Sequence, residues 1–516
     1  MRQASSIEQA PIWRLLLVLL LILPWINPFA SGPSPAVLPW LLSAACATLL
    51  WMLPGRLDAE LVASALLAAA LLSAAIAILQ YFGLAGMFSP WINQPEAGQA
   101  FGNLRQRNQF ASLMSLGLVA LIFLGPAPAL RWHVGWMLAL LAIGLASSLS
   151  RTGLAQWLFV ALLILAWGRR APRQAATLVS AALGLYLAAV LLLPAALQRL
   201  SAVESGGLLA RLGSETVDCN SRITLWSNVL YLVAQRPWTG WGWGELDYAH
   251  YITLYPGERF CDILDNAHNL PLHLAVELGL PVALLFLVGL CWLVVRARPW
   301  AEQAPGRQMA WTWLALLGLH SLLEYPLWYG PFQITALWCV WYLLVAGNAA
   351  QAANHGVVVG VTRWGQVRFS QPMRLSCGSV ALALCAYAFW DYWRVSQIYL
   401  VPERRAASYR TETLSKISSS VLFRSQVEFA ELATTPMSRA NSERLFQISG
   451  SLLHFSPEVR VIETLIESAT LLGRRDVALF HLARYRQAFA AEHGLWSGAL
   501  ARRAKERADA AASASN

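Results

Sequence analysis

Eleven long apolar runs constrain the fold of this chain more than any other feature. Each is long enough to cross about 30 Å of hydrocarbon as an α-helix. They lie at residues 13–29, 36–53, 61–82, 109–125, 134–150, 153–168, 176–196, 270–295, 309–325, 330–347 and 375–393. Within lipid a helix satisfies its own backbone hydrogen bonds, so helices are the expected form. The sequence therefore predicts an all-α polytopic integral membrane protein with about eleven transmembrane helices.

The composition supports a membrane class. Of 516 residues, 57% are hydrophobic and only 13% are charged, which is too apolar for a soluble protein. The formal net charge of +10 is largely explained by arginines in the loops that orient a membrane protein. The basic balance is therefore no argument for nucleic acid, and no nucleic-acid partner is expected.

The distribution of arginines predicts the orientation, because cytoplasmic loops carry an excess of Lys and Arg. With a cytoplasmic N-terminus, 83–107, 199–268 and everything after about 394 lie outside, which in a bacterial inner membrane is the periplasm. The inside loops then hold Arg56, Arg131, Arg169, Arg170, Arg173, the segment 296–307, Arg363, Arg368 and Arg374. We expect a multi-pass inner-membrane protein whose large loop and C-terminal region face the periplasm.

This orientation divides the chain into four parts. Residues 1–198 hold transmembrane helices 1–7, 199–268 form a large periplasmic loop, and 269–393 hold helices 8–11. Residues 394–516 are richer in charge and show helical periodicity with capping residues, which predicts a periplasmic helical domain. Its last stretch, "AKERADAAASASN", is expected to be frayed or disordered.

Several arginines lie on the outer side, where orientation does not need them. Ionisable groups held at a membrane boundary are functional candidates by default. The alternative is that each extends to lipid headgroups. They are Arg105 and Arg107 in "FGNLRQRNQFAS", Arg151 in "SSLSRTGLA", and Arg211, Arg222 and Arg236 in the outer loop.

Arg222 illustrates why these residues suggest an anionic ligand. Asn220 and Ser221 are candidate helix caps, so Arg222 falls in the first turn, beside N–H groups that favour anions. The planar guanidinium fork makes paired, charge-assisted hydrogen bonds with phosphate. A phosphate-bearing ligand at the outer face is therefore predicted.

His268 lies in "DNAHNLPLHLAVELGLP", just before a predicted membrane helix. Pro271 suits the first turn of that helix, which places His268 before its positive end. A positive dipole disfavours imidazolium and leaves a neutral ring that can accept a proton. A capping or merely hydrogen-bonded histidine is the alternative, and the outward arginines favour a functional role.

The outer loop also holds three tryptophans and two cysteines. Trp238, Trp241 and Trp243 suit the membrane-interface belt, with sugar stacking as the alternative. Cys219 and Cys261 alone among the seven cysteines lie outside the apolar runs. Thiols in an oxidising compartment tend to pair, so a disulfide is predicted.

These segments resemble a known family. The motifs "GNLRQRNQFAS", "SLSRTGLA", "SRITLW" with "RPWTGWGWG", "DNAHNLPLHLAVELGLP" and "HSLLEYPLWYGPFQ" are similar, in order and spacing, to those of PglL-type protein O-oligosaccharyltransferases. That family belongs to the larger group of O-antigen ligases and Wzy polymerases. The likeness spans roughly residues 1–400 and implies a GT-C-like membrane fold.

The resemblance implies a donor, an acceptor and no cofactor. Such enzymes pass an oligosaccharide from undecaprenyl pyrophosphate, embedded in membrane lipid, to a hydroxyl on an exported acceptor, here Ser or Thr of a pilin-like protein. No nucleotide sugar or metal is then needed. Asp262 and Asp265 lie close together, but two carboxylates in a loop are weak evidence for a metal.

Site residues follow from the same motifs. The resemblance and the residue chemistry together assign catalysis to His268, Asn269, Arg151 and Arg222. His268 would take the proton of the attacking hydroxyl or orient it. Donor pyrophosphate would be bound by Arg105, Arg107, Arg151 and Arg222, and acceptor contacts or structural support would come from Glu324, Asn103 and Tyr325.

Two alternatives stay open. Ligation of O-antigen to the lipid A core, or Wzy-type polymerisation, uses the same donor chemistry with another acceptor. A transporter of lipid-linked glycans would use boundary arginines to move an anionic headgroup. Transporters often show internal repeats and broken helices, and the sequence shows neither clearly.

Overall fold

The computed structural model describes residues 11–53, 57–124, 132–201, 219–346 and 370–514. Within these ranges the regular secondary structure is helical and contains no strand, so the all-α prediction is confirmed there. Five of the arginines discussed above lie outside the described residues: Arg56, Arg131, Arg211, Arg363 and Arg368.

The first seven helices lie ahead of most of residues 199–268, the segment predicted to face outward and called the outer loop below. They are α1 Pro11–Ile26, α2 Val37–Met52, α3 Ala59–Tyr81, α4 Arg107–Leu124, α5 Val134–Ser147, α6 Arg151–Trp167 and α7 Ala175–Ser201. Helix α3 starts sharply because the Asp58 carboxylate accepts a hydrogen bond from the amide of Leu61 at 2.8 Å. This is an N-cap, which satisfies an amide that has no partner inside the helix.

The remaining helices follow in order. They are α8 Arg222–Gln235, α9 Leu246–Ile252, α10 Leu270–Leu278, α11 Leu280–Ala297, α12 Pro305–Ser321, α13 Gly330–Trp341, α14 Gln371–Ser396, α15 Thr413–Ile417, α16 Arg424–Thr434, α17 Ser442–Leu452, α18 Val459–Leu471, α19 Arg475–Ala488 and α20 Ala490–Ala514. A short π-helical segment, Tyr342–Ala346, extends α13.

Five helical segments of the described chain are long and apolar enough to cross a membrane. They are Ala59–Tyr81, Arg151–Arg170, Ala175–Leu200, Leu280–Ala301 and Gln371–Tyr399. Helices α1, α2, α4 and α5 are apolar but shorter. These helices fit a multi-pass membrane protein; the count of eleven spans and the side that each loop faces remain predictions.

The described residues form two compact units. Unit one holds the helices up to α7 together with 291–390, and unit two holds 219–290 together with 391–514. In unit one, buried alanines of α3 such as Ala70 and Ala74 allow close approach of α4 and α5. A Cβ on Gly144 of α5 would lie 2.9 Å from the Cβ of Ala74. Small residues at helix contacts are typical of membrane bundles.

Unit two joins the outer loop to the C-terminal helices. The Tyr251 hydroxyl and His481 Nδ1 lie 3.0 Å apart, and the Arg484 guanidinium donates to the carbonyl of Ile252 at 2.8 Å. Residues 269–290, predicted as part of a transmembrane region, also group with this unit. These residues belong to unit two because they contact other parts of that unit that are distant in the sequence.

The predicted single helix over 270–295 is wrong, because the chain breaks at Gly279 between α10 and α11. Gly279 has φ 85°, and a Cβ there would overlap the carbonyl of Trp238. The glycine-rich turn of the outer loop packs here, since the amides of Trp241 and Gly242 donate to the carbonyls of Val276 and Glu277 at 2.9 and 3.0 Å. Glycine permits both the backbone angle and the close approach.

The C-terminal tail, which the sequence predicts to be frayed or disordered, falls largely within the last helix. Helix α20 continues to Ala514, through most of the segment expected to fray. The physical reason is composition, because Ala, Arg, Lys and Glu are the strongest helix formers and dominate this stretch.

Candidate active site

Three of the predicted arginines occupy the same helical position. Arg107, Arg151 and Arg222 are the first residues of α4, α6 and α8. Two of these helices are capped by the preceding serine: Ser150 Oγ accepts from the amide of Gly153, and Ser221 Oγ from the amide of Thr224, both at 3.1 Å. The local sequence Ser-Arg therefore sets both helix starts.

This position is electrostatically unfavourable for a cation. A helix N-terminus carries partial positive charge, and a cation there costs about 0.3–1 kcal/mol. An anion at the same place gains from the exposed amides and from the guanidinium. The arrangement of amides and arginine at each start therefore favours binding of phosphate-type anions.

In unit one a hydrogen-bonded chain links two of these helix starts to Glu324. Ser150 Oγ donates to Asn108 Oδ1 at 2.8 Å, and Asn108 Nδ2 donates to Glu324 Oε1 at 3.0 Å. Asn108 directly follows Arg107 in α4, and Ser150 directly precedes Arg151 in α6. The structure thus brings the segments of Arg107, Arg151 and Glu324 together.

A second polar cluster lies one turn further along α4. Ser112 Oγ is 2.8 Å from His320 Nδ1, Gln156 Nε2 donates to Ser112 Oγ at 2.7 Å, and Ser115 Oγ donates to Gln156 Oε1 at 2.8 Å. All four side chains are buried. The Nε2 atom of His320 makes no hydrogen bond within the part of the chain described.

Sequence reasoning missed Asn108, Ser112, Gln156, His320 and Ser150. A pattern was available, because Asn108, Ser112 and Ser115 recur at intervals of four and three residues along an apolar helix. That spacing places them on one face. Polar groups within membrane helices are costly unless paired, so such a face marks a polar contact inside the bundle.

Asn103 and Arg105 hold the loop before α4. Asn103 Nδ2 donates to the carbonyls of Ile26 and Trp91 at 2.8 and 3.0 Å. The Arg105 guanidinium donates to the carbonyl of Pro28 and to Asn93 Oδ1. These contacts give both residues a structural role; phosphate binding by Arg105 stays a prediction. Tyr325 stacks on Tyr329 with ring centroids 5.8 Å apart.

In unit two, His268 lies one residue before the cap of α10. The Asn269 side chain accepts from the amide of Leu272 at 3.1 Å, and Pro271 lies in the first turn as predicted. Asn269 therefore caps the helix. Asn266 Oδ1 accepts from the backbone amide of His268 at 2.9 Å and fixes the turn.

Left-handed backbone angles occur at three candidate segments. Arg105 has φ 61°, His268 has φ 49°, and Leu149, two residues before Arg151, has φ 53°. Non-glycine residues seldom adopt such angles, and those that do cluster at functional sites. The surrounding hydrogen bonds stabilise these turns. The backbone therefore fixes the direction of the candidate side chains Arg105, His268 and Arg151.

The start of α8 and the segment before His268 are held together. Trp226 lies one turn after Arg222, and its Nε1 donates to the carbonyl of Ala267 at 3.1 Å. Cys219 and Cys261 form a disulfide with a Cα–Cα distance of 5.5 Å, the pairing that the sequence predicts. Two links thus connect the Arg222 end of the loop to the His268 end.

Asp265 is electrostatically coupled to His268. Desolvation raises the pKa of the Asp265 carboxyl, and the charge of His268 acts against that rise. Asp265 therefore lies within electrostatic range of His268.

The tryptophans of the loop do not act alike. Trp238 and Trp243 are largely exposed, as an interface or sugar-stacking role requires. Trp241 instead lies beneath the Arg236 guanidinium, 4.1 Å from its ring centroid, and its Nε1 donates to the carbonyl of Leu232 at 3.0 Å. The ring of Trp241 thus packs within unit two, and an interfacial position for the three tryptophans stays a prediction.

No group of three or more His, Cys, Asp or Glu side chains that could hold a metal is present in the ranges that the structure covers. Asp262 and Asp265 are two carboxylates without a third ligand of this kind.

Comparison with known proteins adds three family matches. Residues 100–124, which comprise the end of the preceding loop and all of α4, match the protein glycosylation ligase family. Residues 136–287, which include Arg151, Arg222 and His268, match the O-antigen ligase family. Residues 308–504 match the C-terminal family of virulence factor membrane-bound polymerases. The matches follow one another along the chain and cover both units.

One curated relative is a general O-oligosaccharyltransferase of Acinetobacter baylyi (strain ATCC 33305 / BD413 / ADP1). It is 27% identical over 282 residues, which is 52% of this chain and 48% of the relative. The matched segment thus spans about half the length of that protein.

Fold and site define a multi-pass helical membrane protein with arginine-bearing helix starts. Within that class, the chain is similar to the PglL-type protein O-oligosaccharyltransferases of the O-antigen ligase and Wzy polymerase superfamily, as the family matches and the relative confirm.

Proposed function

We propose that this protein transfers an oligosaccharide en bloc from undecaprenyl pyrophosphate to Ser or Thr hydroxyls of exported, pilin-like proteins at the periplasmic face of the bacterial inner membrane. It is thus a glycosyltransferase with a lipid-pyrophosphate donor. The name of the Acinetobacter relative and the protein glycosylation ligase match support a protein acceptor.

Arginines would bind the leaving group. As the glycosidic bond breaks, negative charge grows on the pyrophosphate, and prearranged cationic donors stabilise that charge most strongly in the transition state. Arg107, Arg151 and Arg222 are suited to this role by their positions at helix starts. Arg105 would contribute from the preceding loop.

His268 would remove the proton from the attacking hydroxyl or orient that hydroxyl. The observation that carries this role is the hydrogen bond from Trp226 to Ala267, which holds the His268 segment against the helix that begins with Arg222. A base and a phosphate-binding arginine are then parts of one folded unit. Asn269 would support His268 through the cap of α10.

Ligation to a lipid acceptor or glycan polymerisation is the second candidate. The descriptions of two matched families, O-antigen ligase and membrane-bound polymerase, favour it specifically. Both reactions keep the donor and the roles of the arginines and His268, and they differ only in the hydroxyl that attacks. Supplying each acceptor in turn distinguishes these functions.

The test is a reaction of purified full-length protein in lipid nanodiscs. Undecaprenyl-pyrophosphate-linked oligosaccharide is supplied with either a Ser-containing pilin-like protein or lipid A core. Intact-mass spectrometry of the pilin-like acceptor should show the mass of one oligosaccharide. A transporter yields no glycosylated product with any acceptor, and product on lipid A core alone supports the second candidate.

His268→Ala should lower product formation by roughly 10²–10⁴ while expression and thermal melting persist, because the change removes a proton acceptor from a half-exposed turn. His133→Ala is the matched control, since His133 is exposed and distant in sequence from the candidate residues. Near-wild-type activity of the His268 variant would end the proposed role as base.

A further inference from the structure

A groove of about 910 Å³ lies in unit two, outside the residues assigned above. It is formed by the turn after α16, by one face of α18 and by the outer loop. Its lining includes Ile263, Glu458, Arg460, Glu463, Glu467 and Phe489. This volume is at the upper end of the range for ligand sites, about 300–1,000 Å³.

The charged side chains of the groove are mainly acidic. Glu463 and Glu467 are four residues apart on α18, so they project from one face, and Glu458 lies just before that helix. Among the lining residues that the structure describes, Arg460 is the single cation, and its guanidinium donates to the carbonyl of Ala433. The groove therefore presents net negative charge.

Two of the carboxylates are held in place from behind. The Tyr485 hydroxyl donates to Glu463 Oε1 at 2.6 Å, and Trp496 Nε1 donates to Glu467 Oε1 at 3.1 Å. These bonds come from α19 and α20 and fix the orientation of both side chains. Fixed carboxylates bind a cation with less loss of side-chain entropy than mobile ones.

Apolar side chains line the rest of the groove. Leu432 and Leu445 are buried in its wall, and Ile263, Val459 and Phe489 are partly exposed. Apolar surface beside fixed carboxylates suits an extended polypeptide, whose successive side chains alternate in direction. An oligosaccharide would need more aromatic faces than Phe489 alone offers for stacking.

The position of the groove relates it to the candidate base. Ile263 precedes His268 by five residues, and five residues span at most about 18 Å even when fully extended. The disulfided Cys261 lies two residues before Ile263 and anchors this segment. A peptide bound in the groove would therefore have its neighbouring residues close enough to reach His268.

We propose that this groove binds an extended segment of the acceptor protein that carries Lys or Arg, and so positions a neighbouring hydroxyl for His268. The inference rests on the proposed function, because it names the surface that recognises the acceptor. Specificity for the exported protein then comes from unit two, and donor binding from the arginines at the helix starts.

The test measures peptide binding without any glycan donor. The full-length protein in phosphatidylcholine nanodiscs is titrated into a fluorescein-labelled peptide of about twelve residues with repeating Lys-Ser-Ala-Val. A second peptide has Glu in place of each Lys. Fluorescence anisotropy should show binding of the lysine peptide that weakens with salt, because the complementary charges are partly exposed.

The paired change Glu463→Gln and Glu467→Gln should lower the affinity for the lysine peptide roughly three- to tenfold, as expected for two partly exposed ion pairs. Gln keeps an acceptor for Tyr485 and Trp496, so the helices should stay packed. Thr464→Arg, which narrows the groove and adds positive charge, should weaken binding as well. Glu443→Gln is the control, since Glu443 pairs with Arg474 outside the groove.

Three results would overturn the proposal: equal binding of both peptides, unchanged affinity in the paired variant, or displacement of the lysine peptide by the neutral oligosaccharide maltoheptaose. Binding is measured apart from transfer. If the protein binds the lysine peptide through these carboxylates but makes no glycosylated product, the proposed function is contradicted. The groove would still be a peptide-binding site.

Discussion

At the residue scale, the choice of arginine at helix starts is informative. Lysine carries the same charge, but its ammonium is a point charge without the planar fork that pairs with two oxygens of a phosphate. Arg151 and Arg222 each follow a capping serine, so the backbone fixes their Cα positions. Replacing either arginine by lysine therefore keeps the positive charge and removes the planar fork, so the two contributions to phosphate binding can be measured separately.

Arg151→Lys and Arg222→Lys should each lower kcat/KM for the lipid-linked donor roughly ten- to hundredfold. Each change loses a charge-assisted hydrogen bond worth about 1.5–3 kcal/mol. Steady-state kinetics with varied donor measures the loss. Arg169→Lys, in the basic turn after α6, is the control and should retain activity. Full activity of both lysine variants would show that a diffuse positive field suffices.

Asn108 is the residue that connects Glu324 to the start of α6. Its amide donates to Glu324 and its carbonyl oxygen accepts from Ser150. Asn108→Asp should place two carboxylates in contact and lower kcat/KM roughly ten- to hundredfold, the effect of losing a charge-assisted hydrogen bond of about 1.5–3 kcal/mol. The melting temperature and separate values of kcat and KM distinguish misplacement of Arg151 from general unfolding.

Adding Glu324→Gln to Asn108→Asp should restore most of the lost activity. The new side-chain amide at position 324 can donate to the new carboxylate at position 108. That carboxylate still accepts from Ser150. The hydrogen-bonded series from Ser150 to position 324 therefore forms again, with the donor now at position 324 instead of position 108. Glu324→Gln alone should be mild, because Gln keeps an acceptor for Asn108. A double variant no better than Asn108→Asp would contradict this positioning role.

At the element scale, the break between α10 and α11 decides how the outer loop docks. Leu280 donates its amide to the carbonyl of Pro237 at 2.8 Å, alongside the bonds from Trp241 and Gly242. A continuous helix would occupy the carbonyls of Val276 and Glu277 internally. The break therefore leaves the last carbonyls of α10 available to accept hydrogen bonds from the outer loop. Arg222 lies in the same loop, at the start of α8.

Gly279→Ala should lower the melting temperature by several degrees. The residue has φ 85° and ψ 162°, a region essentially restricted to glycine, and strain of this kind costs about 1–3 kcal/mol before the overlap with Trp238 is added. Differential scanning fluorimetry of the purified protein measures it. Gly289→Ala in α11 is the control, because a Cβ there meets nothing within 4 Å. Equal melting of both variants would contradict the argument.

At the scale of the whole molecule, covalent and noncovalent links combine distant segments into unit two. The disulfide closes a sequence separation of 42 residues around α8 and α9. The C-terminal helices add a hydrogen bond between His481 and Tyr251 of α9 and one from Arg484 to the carbonyl of Ile252. Loop and C-terminal region therefore fold as one unit although about 100 residues separate them in the sequence.

Loss of the disulfide should destabilise unit two. On the chain-entropy account, closing this loop stabilises the folded state by about 4 kcal/mol. Mass spectrometry of unreduced, alkylated protein should recover Cys219 and Cys261 in one crosslinked peptide, and the double serine variant should melt at lower temperature. Alkylating label on both cysteines in protein matured in an oxidising compartment would show that packing alone orders the loop.

The sequence by itself determined the features that depend on a few neighbouring residues. Apolar run length predicted the helical membrane class, and Ser221 and Pro271 predicted the starts of α8 and α10. The location of Cys219 and Cys261 predicted their pairing. Helix caps, run lengths and cysteine placement are readable locally because each depends on a short stretch of chain or on its compartment.

Tertiary structure alone decided the contacts between distant segments. Asn108 meets Glu324 across 216 positions of sequence, and the carbonyls of Val276 and Glu277 bond to the outer loop instead of continuing the helix. No local pattern specifies such partners, since they follow from which helices pack and at what distance. Folding brings together residues that are far apart in the sequence and whose local patterns do not predict the contact. This is the origin of the hydrogen-bonded series in unit one, of the break at Gly279 and of the acidic groove.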